Sequence, residues 1–197
     1  MKRVRYAVAM SLDGYIAGPQ GEADWILSDP DIDFGAIFNE FDTLVMGRRT
    51  FAAMGDTGDG AFGGPFAGMK IVVVSRTLDP QRYPKATIVS DGVKAALTAL
   101  KQQPGKDIWL FGGGQLFRTL LELDLVDTVE VAVIPVLLGQ GIPLLPGAAK
   151  RAHLTLSSHT VHPKTGTLSL AYDVKHAGEK TSKRASRQSG PREMAVL

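Results

Sequence analysis

Residues 107–118 read DIWLFGGGQLFR: an apolar run, three consecutive glycines and the beginning of an amphipathic segment. The apolar run predicts a buried strand, and residues 115–123 place Leu116, Leu120 and Leu123 on one helical face. A strand, a glycine turn and a helix N-terminus together present free backbone N–H groups and the positive end of a helix dipole, which suits a phosphate. The glycines therefore have two interpretations, a phosphate cradle or a tight turn that uses the positive φ angles open to glycine.

Two familiar glycine-loop motifs do not account for this turn. Gly112 and Gly114 match the first two positions of the dinucleotide fingerprint G-x-G-x-x-G, but its third position falls on Phe117. The Gly-Lys-Ser/Thr ending of a Walker A loop is also missing here. A phosphate site at these residues must therefore belong to another class.

The chain around the turn alternates strand-like and helix-like segments. Further strands are predicted at 3–10, 43–47, 70–75, 86–90 and 128–134, and a second helix at 91–103. After Pro135 the residues LLGQGIPLLPG predict a loop, and period-two alternation in 153–161 and 166–174 predicts an antiparallel hairpin. We predict an α/β domain with a mixed, mostly parallel central sheet, helices on both faces and a C-terminal antiparallel hairpin.

The composition is that of one ordinary globular domain. With 197 residues and 44% hydrophobic content the chain can bury a core, and it has no cysteine for disulfides or thiolate metal sites. No apolar run reaches the length of a membrane span, so we expect a soluble cytoplasmic protein. The four histidines lack ligand-like spacing, and we expect no metal site.

Residues 178–197 differ from the body in composition. They carry five Lys/Arg and two Glu without apolar periodicity, which leaves 17 basic and 18 acidic side chains in the body. Such a segment cannot offset its ordering entropy, so we predict a folded domain over 1–177 and a disordered basic tail. The less favoured interpretation is an electrostatic arm for nucleic acid or anionic lipid. We expect neither nucleic acid nor membrane as a partner.

Two other predicted strands also end in residues that suit phosphate. MGRRTF (46–51) places a glycine, two arginines and a threonine at one strand end, and VVVSRT (72–77) places Ser75 and Arg76 at another. Ligands of open α/β sheets bind beyond the carboxyl ends of strands, and arginine offers planar, charged donors to phosphate oxygens. Three such strand ends in one small domain favour the cradle interpretation of the glycines.

Four stretches, in order, resemble the dihydrofolate reductase fold: AMSLDGYIAG (9–18), VMGRRTF (45–51), VVVSRT (72–77) and LFGGGQLFRTLL (110–121). SLDG, the glycine stretch and VIPVLLGQGIPLL (133–145) resemble the subgroup related to the reductase domain of bacterial riboflavin biosynthesis. The resemblance implies a dihydrofolate reductase-like three-layer fold with an eight-stranded mixed sheet. It also implies hydride transfer from NADPH to a C=N or C=O bond of a small heterocyclic or ribosylated pyrimidine- or pteridine-like substrate.

The resemblance further implies groups of cofactor-binding residues. The group at the 2′-phosphate of NADPH is Arg48, Ser75 and Arg76. The group near or at the pyrophosphate is Arg49, Thr50, Gly112, Gly113, Gly114, Gln115 and Leu116, with Gly47 also expected at the cofactor. The group bordering the nicotinamide is Ala9 and Ile16. In this family a cis peptide joins two of the glycines.

On the substrate side, the resemblance points to a carboxylate on the first helix. Counting back from MGRRTF makes Asp31 the candidate for catalysis and substrate binding, with Asp29 and Asp33 as rivals. A buried carboxylate suits a general acid or an orienting acceptor, but acidic residues are also common at helix starts. Asp13 and Trp25 are further substrate-binding candidates, although aspartate is equally typical of a turn at this position.

The leading hypothesis is an NADPH-dependent oxidoreductase, and the alternative is a non-catalytic NADP(H)-binding protein of the same fold. The resemblance also implies a homodimer. PVLLGQGIPLLPG (135–147) holds more leucine and isoleucine than a solvated loop needs, which favours burial between subunits.

Overall fold

The computed structural model describes residues 1–54, 66–147 and 151–176 of the chain. Within these residues the strands are β1 (Val4–Ser11), β2 (Tyr15–Ala17), β3 (Phe41–Gly47), β4 (Lys70–Val74), β5 (Ala86–Val89), β6 (Asp107–Gly112), β7 (Thr128–Ile134), β8 (Ile142–Pro143), β9 (Leu154–His162) and β10 (Thr167–Val174). The α-helices are α1 (Phe34–Phe38), α2 (Arg48–Ala53), α3 (Val93–Gln102) and α4 (Gly114–Glu122). None of the described helices has the length and hydrophobicity of a transmembrane span. The predicted basic tail, 178–197, lies outside the described residues.

Eight of these strands form one mixed sheet in the order β5-β4-β3-β6-β1-β7-β10-β9. The strands from β5 to β7 run parallel, and β10 and β9 add the antiparallel hairpin at the far edge. The predicted sheet strands and the two predicted helices agree with the structure to within about two residues. The predicted fold class is therefore confirmed.

The sequence patterns missed four short elements. β2 and β8 pair with each other as a separate antiparallel ribbon, so the segment predicted as a loop after Pro135 contains a strand. α1 and α2 have only five and six residues, too few for a helical period to be recognised. Elements this short are stabilised by tertiary contacts and not by their own periodicity.

The helices divide between the two faces of the sheet according to the direction of their connections. The connections through α1 and α2 lead toward the β5 edge, and these helices pack on one face through Ile37 and Phe51. The connections through α3 and α4 lead toward β7, and these helices pack on the other face through Leu97 and Phe117. Right-handed crossovers require this division, because reversing the direction of travel moves the helix to the opposite face.

A buried ion pair joins β1 and β7 at the end of the sheet where the parallel strands begin. Arg5 on β1 donates from Nε and Nη2 to the two carboxylate oxygens of Glu130 on β7, at 2.7 and 2.8 Å. Its guanidinium also contacts Glu40 and lies 4.6 Å from the ring centroid of Phe41. Burial opposes the charged form of Arg5, but the hydrogen bonds and charges of Glu130 and Glu40 outweigh it and raise its pKa. Losing one partner would leave a buried charge unpaired, so this ion pair holds β1 beside β7.

The hydroxyl of Tyr6 leads to a stability prediction. Tyr6 is fully buried and stacks on Phe117 at a centroid distance of 4.0 Å, and its hydroxyl has no hydrogen-bond partner among the described residues. An unsatisfied buried hydroxyl costs about 1 to 3 kcal/mol, so Tyr6→Phe should raise the free energy of unfolding by about 1 kcal/mol or more, measured by urea unfolding. Tyr172→Phe, at a half-buried position on β10, is the control and should change it by less than about 0.5 kcal/mol. A Tyr6→Phe protein less stable than its parent would contradict the prediction.

Candidate functional site

The carboxyl ends of β3, β4 and β6 meet at one edge of the sheet. Gly47 at the end of β3 pairs with Val74 at the end of β4, and Met46 pairs with Gly112 at the end of β6. The chain leaves β3 toward β4 and leaves β6 toward β7, so the two connections diverge on opposite faces. A divergence of this kind leaves a crevice between the strand ends, which is where open α/β sheets bind their ligands.

The predicted glycine turn lies at this crevice. Gly112 has a φ of 154°, and the Gly112–Gly113 peptide bond is cis, as the resemblance implies. A Cβ atom at Gly113 would lie 3.5 Å from Thr50 Oγ1, an ordinary contact, and the φ of −98° at Gly113 is open to any residue. No side chain caps α4, which begins at the next residue. The protein therefore has room for a side chain at Gly113. Because no side chain caps α4, the N–H groups at its start can donate to a ligand that occupies this space.

The first turn of α4 is partly engaged by the protein itself. A Cβ atom at Gly114 would lie 2.8 Å from the carbonyl oxygen of Pro143, so packing alone requires this glycine. Leu116 buries its side chain in the core and donates its N–H to Gly113 O at 3.0 Å. Gln115, between them, is exposed. Of the expected pyrophosphate residues in α4, Gln115 is thus the one most open to a ligand.

Three arginines at the same edge have no partner in the described part of the chain. Arg48 and Arg49 begin α2 and Arg76 follows β4, and all three are exposed without a hydrogen bond or ion pair to a described residue. Ser75 is buried, and its Oγ accepts from the N–H groups two and three positions later, both at 3.2 Å. Ser75 therefore shapes the turn that carries Arg76. Unpaired cations beside a helix N-terminus favour an anionic ligand.

The residues expected beside the nicotinamide pack in different places. Ala9 on β1 is fully buried in a small cluster with Ala132, and Trp25 packs against the same cluster. The indole Nε1 of Trp25 donates to Glu22 O at 3.1 Å, which fixes the ring. Ile16 on β2 packs against the core on the α4 face instead. The structure therefore brings Trp25 to Ala9 but does not bring Ala9 and Ile16 into one cluster.

Asp29 is the buried member of the three candidate carboxylates. Its Oδ2 accepts from Thr165 Oγ1 at 2.7 Å, its Oδ1 accepts from the N–H of Asp31 at 2.9 Å, and it is only 2% exposed. The hydroxyl of Thr165 first, and then the N–H of Asp31, hold the pKa of Asp29 below its usual value. Asp29 is therefore an ionised acceptor at neutral pH and not a proton donor.

Asp31 and Asp33 lie nearer the surface. Asp31 Oδ1 accepts from Lys164 Nζ at 2.7 Å, and 52% of the Asp31 side chain is exposed. Asp33 Oδ1 accepts from the N–H of Ala36 at 2.9 Å and caps α1, the helix-start role that the sequence left open. Counting back from MGRRTF places Asp31 on the first helix. In the structure α1 begins at Phe34, so Asp31 lies before the helix and not on it.

Asp13 is held by the loop after β7. Its carboxylate accepts from Ser11 Oγ at 2.6 Å and from the N–H groups of Leu138 and Gly139 at 3.2 and 2.7 Å.

Sequence reasoning identified neither this loop nor the hairpin turn 163–166 as the partner of an acidic candidate. The polar residues of HPKTG were the one signal available, and they do not say which distant carboxylate they meet.

Comparison with known proteins identifies relatives across most of the chain. Residues 2–166 match the family described as the RibD C-terminal domain. Two Bacillus subtilis (strain 168) proteins, both named as uncharacterized, are similar: YyaP is 35% identical over 167 residues (79% of this chain, 86% of YyaP), and YwjB is 31% identical over 158 residues (79% and 88%).

Solved structures show the same fold. The crystal structure of a Shewanella sp. PV-4 protein attributed to riboflavin biosynthesis is 28% identical, covers 89% of this chain and 100% of its own, and has a TM-score of 0.70. A Thermotoga maritima diaminohydroxyphosphoribosylaminopyrimidine deaminase/5-amino-6-(5-phosphoribosylamino)uracil reductase is 15% identical, with a TM-score of 0.66 over 88% of this chain and 57% of its own. At that identity the second likeness shows the fold alone.

The contact between Asp29 and Thr165 leads to a pH prediction. Because the folded-state pKa of Asp29 lies below the unfolded value of about 3.9, ionised Asp29 contributes stability above about pH 4 that is lost as the pH falls through the lower folded-state pKa. Thr165→Val removes the hydroxyl at nearly constant volume, so it should lower the melting temperature at pH 7 and flatten the acid loss of stability below about pH 4. Thermal unfolding across this range measures both effects. Thr155→Val, an exposed site on β9, is the control, and an acid slope in Thr165→Val equal to the parent's would refute the prediction.

Proposed function

The chain belongs to the RibD C-terminal domain family, and we propose that it is a cytoplasmic, NADPH-dependent reductase of the riboflavin-pathway type. Its proposed substrate is a small heterocyclic or ribosylated pyrimidine- or pteridine-like molecule whose C=N or C=O bond is reduced. The observation that carries the proposal is the meeting of the glycine turn 112–114 with the unpaired Arg48 and Arg76 at the edge where β3, β4 and β6 end. The attribution of the Shewanella relative to riboflavin biosynthesis supports the pathway.

The residues at the crevice fit a phosphorylated dinucleotide. The backbone at Gly113 carries no side chain although the protein has room for one, and the start of α4 supplies N–H donors and the positive end of a helix dipole. Arg48 and Arg76 follow the neighbouring strands β3 and β4, so the two can share one dianionic group. We therefore assign them to the 2′-phosphate, which NADPH has and NADH lacks. When bound, NADPH would supply the hydride.

On the substrate side, we retain Asp31 as the proposed catalytic carboxylate. Asp29 is occupied by Thr165 and Asp33 caps α1, whereas Asp31 is half exposed and its single ion pair with Lys164 lies at the surface. A surface ion pair contributes little stability, so a substrate can replace it at small cost. Asp31 would accept a hydrogen bond from the heterocycle and orient it for hydride transfer.

The alternative proposal is a non-catalytic NADP(H)-binding protein of the same fold. It is favoured by the partners of the three candidate carboxylates, since each of them is already engaged by another described group. Turnover of NADPH with pyrimidine- or pteridine-type substrates separates the two proposals, because both require NADPH to bind and only the reductase consumes it.

Cofactor titrations of two variants test the proposed function. Arg76→Ala removes one charge-assisted contact to the 2′-phosphate, worth about 1.5 to 3 kcal/mol, so the Kd for NADPH should rise roughly tenfold to 100-fold while the Kd for NADH stays unchanged. Gly113→Ala places a methyl group where the pyrophosphate would lie, so affinity for both cofactors should fall. Because Gly113 has an allowed φ and free space, the Gly113→Ala protein should keep the parent's melting temperature.

NADPH fluorescence and thermal unfolding on the same preparations provide the measurements. Arg82→Ala removes the same charge from the same connection, in the turn Pro80–Arg82, and should bind both cofactors as the parent does. Parental NADPH affinity in a folded Gly113→Ala protein would refute the cradle, and an Arg76→Ala protein that still prefers NADPH as the parent does would refute the 2′-phosphate assignment.

We also propose a homodimer formed through residues 135–147. Leu137, Ile142 and Leu145 in this segment are 69%, 39% and 37% exposed, and exposed apolar side chains grouped together are typical of protein–protein contact surfaces. Light scattering at micromolar concentration should give twice the chain mass of 21.1 kDa, and Leu137→Glu should shift the mass toward 21.1 kDa. A parent protein that scatters as a monomer would refute this proposal.

A further inference from the structure

The carboxylate of Asp13 has hydrogen-bond donors on both oxygens although its side chain is exposed. Oδ1 accepts from Ser11 Oγ at 2.6 Å and from the N–H of Leu138 at 3.2 Å, and Oδ2 accepts from the N–H of Gly139 at 2.7 Å. Two of the three donors belong to a segment 125 and 126 positions away in the chain. The turn between β1 and β2 is thus attached to the start of the loop that leads into β8.

The contacts continue along this loop. Leu144 N–H donates to Gly14 O at 2.9 Å, and β8 pairs with β2. A Cβ atom at Gly141 would lie only 2.2 Å from the carbonyl oxygen of Ala17, so the two backbones are in close contact there. Residues 138–144 therefore contact residues 13–17 at several positions, and Asp13 makes the side-chain contacts at the start of the segment.

The far side of the same segment rests on the first residue of α4. A Cβ atom at Gly114 would lie 2.8 Å from Pro143 O, 2.8 Å from Pro146 Cδ and 3.2 Å from Leu144 O. Residues 138–146, which we call the bridge, thus contact β2 on one side and the start of α4 on the other. Gly113, where the pyrophosphate is proposed to bind, immediately precedes that contact.

We propose that Asp13 is a positioning residue of the cofactor site, which acts by fastening the bridge against the start of α4. The inference rests on the proposed function for its consequence but not for its geometry. With Asp13 in place, the bridge holds Gly114 and keeps the N–H groups of the first turn where a pyrophosphate needs them. The Ser11 hydroxyl, and after it the Gly139 and Leu138 N–H groups, lower the pKa of Asp13, so the acceptor is ionised at neutral pH.

This role differs from the substrate-binding role expected for Asp13. Three of the roughly four acceptor sites of the Asp13 carboxylate are already used by the protein, and two of those donors belong to the loop after β7, so the contacts of Asp13 favour a role in fastening that loop. It also differs from a plain turn role, because a turn residue stabilises only the local chain. The bridge connects Asp13 to α4. Replacing Asp13 should therefore lower cofactor affinity by more than the accompanying loss of stability can explain.

Asp13→Asn tests the inference, because the amide keeps the shape of the side chain but replaces one acceptor oxygen with an NH₂ group. Hydrogen exchange should become faster in peptides covering 136–146 and 112–118, and the Kd for NADPH should rise about fivefold to tenfold. The matched control is Asp33→Ala, which removes the cap of α1 and lowers stability, because the Asp33 carboxylate accepts from the N–H of Ala36 and not from a residue of the bridge. Its exchange in the two peptides and its Kd for NADPH should stay within twofold of the parent.

Each outcome decides the inference. Unchanged exchange in 112–118 in the Asp13→Asn protein would overturn it, as would parental NADPH affinity in that protein. If the parent does not bind NADPH, the proposed function fails, and exchange in 112–118 still shows whether Asp13 controls α4. If Asp13→Asn does not fold, Ser11→Ala removes one of the three donors and should give the same pattern to a smaller degree.

Discussion

The handedness of crossover connections is the constraint on which the rest of this molecule depends. A right-handed connection from β3 to β4 and another from β6 to β7 travel in opposite directions, so their helices must lie on opposite faces of the sheet. Neither helix can then cover the ends of both β3 and β6, and a crevice opens between them. The glycine turn and the arginines are placed at this crevice because they are the residues that follow those strands.

The two ends of the parallel strands differ in whether their charged side chains are paired. At the edge where the parallel strands begin, Arg5 is neutralised by Glu130 and Glu40, and Lys101 pairs with Asp127. At the edge where they end, the exposed arginines have no partner in the described part of the chain. Paired charges serve the folded chain, whereas unpaired cations raise the local concentration of an anionic ligand. This difference distinguishes the end of the sheet that ion pairs stabilise from the end at which we propose that a ligand binds.

The three candidate aspartates show that the family resemblance predicts the fold better than it predicts the residues proposed to bind the substrate. The family is clear from residues 2–166, and the fold agrees with it. Yet Asp29 and Asp33 are engaged by a hairpin turn and a helix N-terminus, and Asp31 lies before the first helix. The proposed cofactor site is built from backbone and strand ends, which the fold itself places. The proposed substrate site is built from loops, whose side chains depend on contacts particular to this chain.

Particular residues show the division between sequence and tertiary structure. Apolar runs such as 70–74 and the glycines before α4 were predictable, because burial on both faces and glycine's conformational freedom leave local patterns. The partner of Asp29 was not, since Thr165 lies 136 positions away. Gly113 and Gly114 are identical letters, yet one has free space and the other is pressed against Pro143. The sequence by itself determined the layers and the chemistry at each strand end. Only the tertiary structure decided which of those groups are free and which are occupied, because packing and hydrogen bonding depend on neighbours in space and not along the chain.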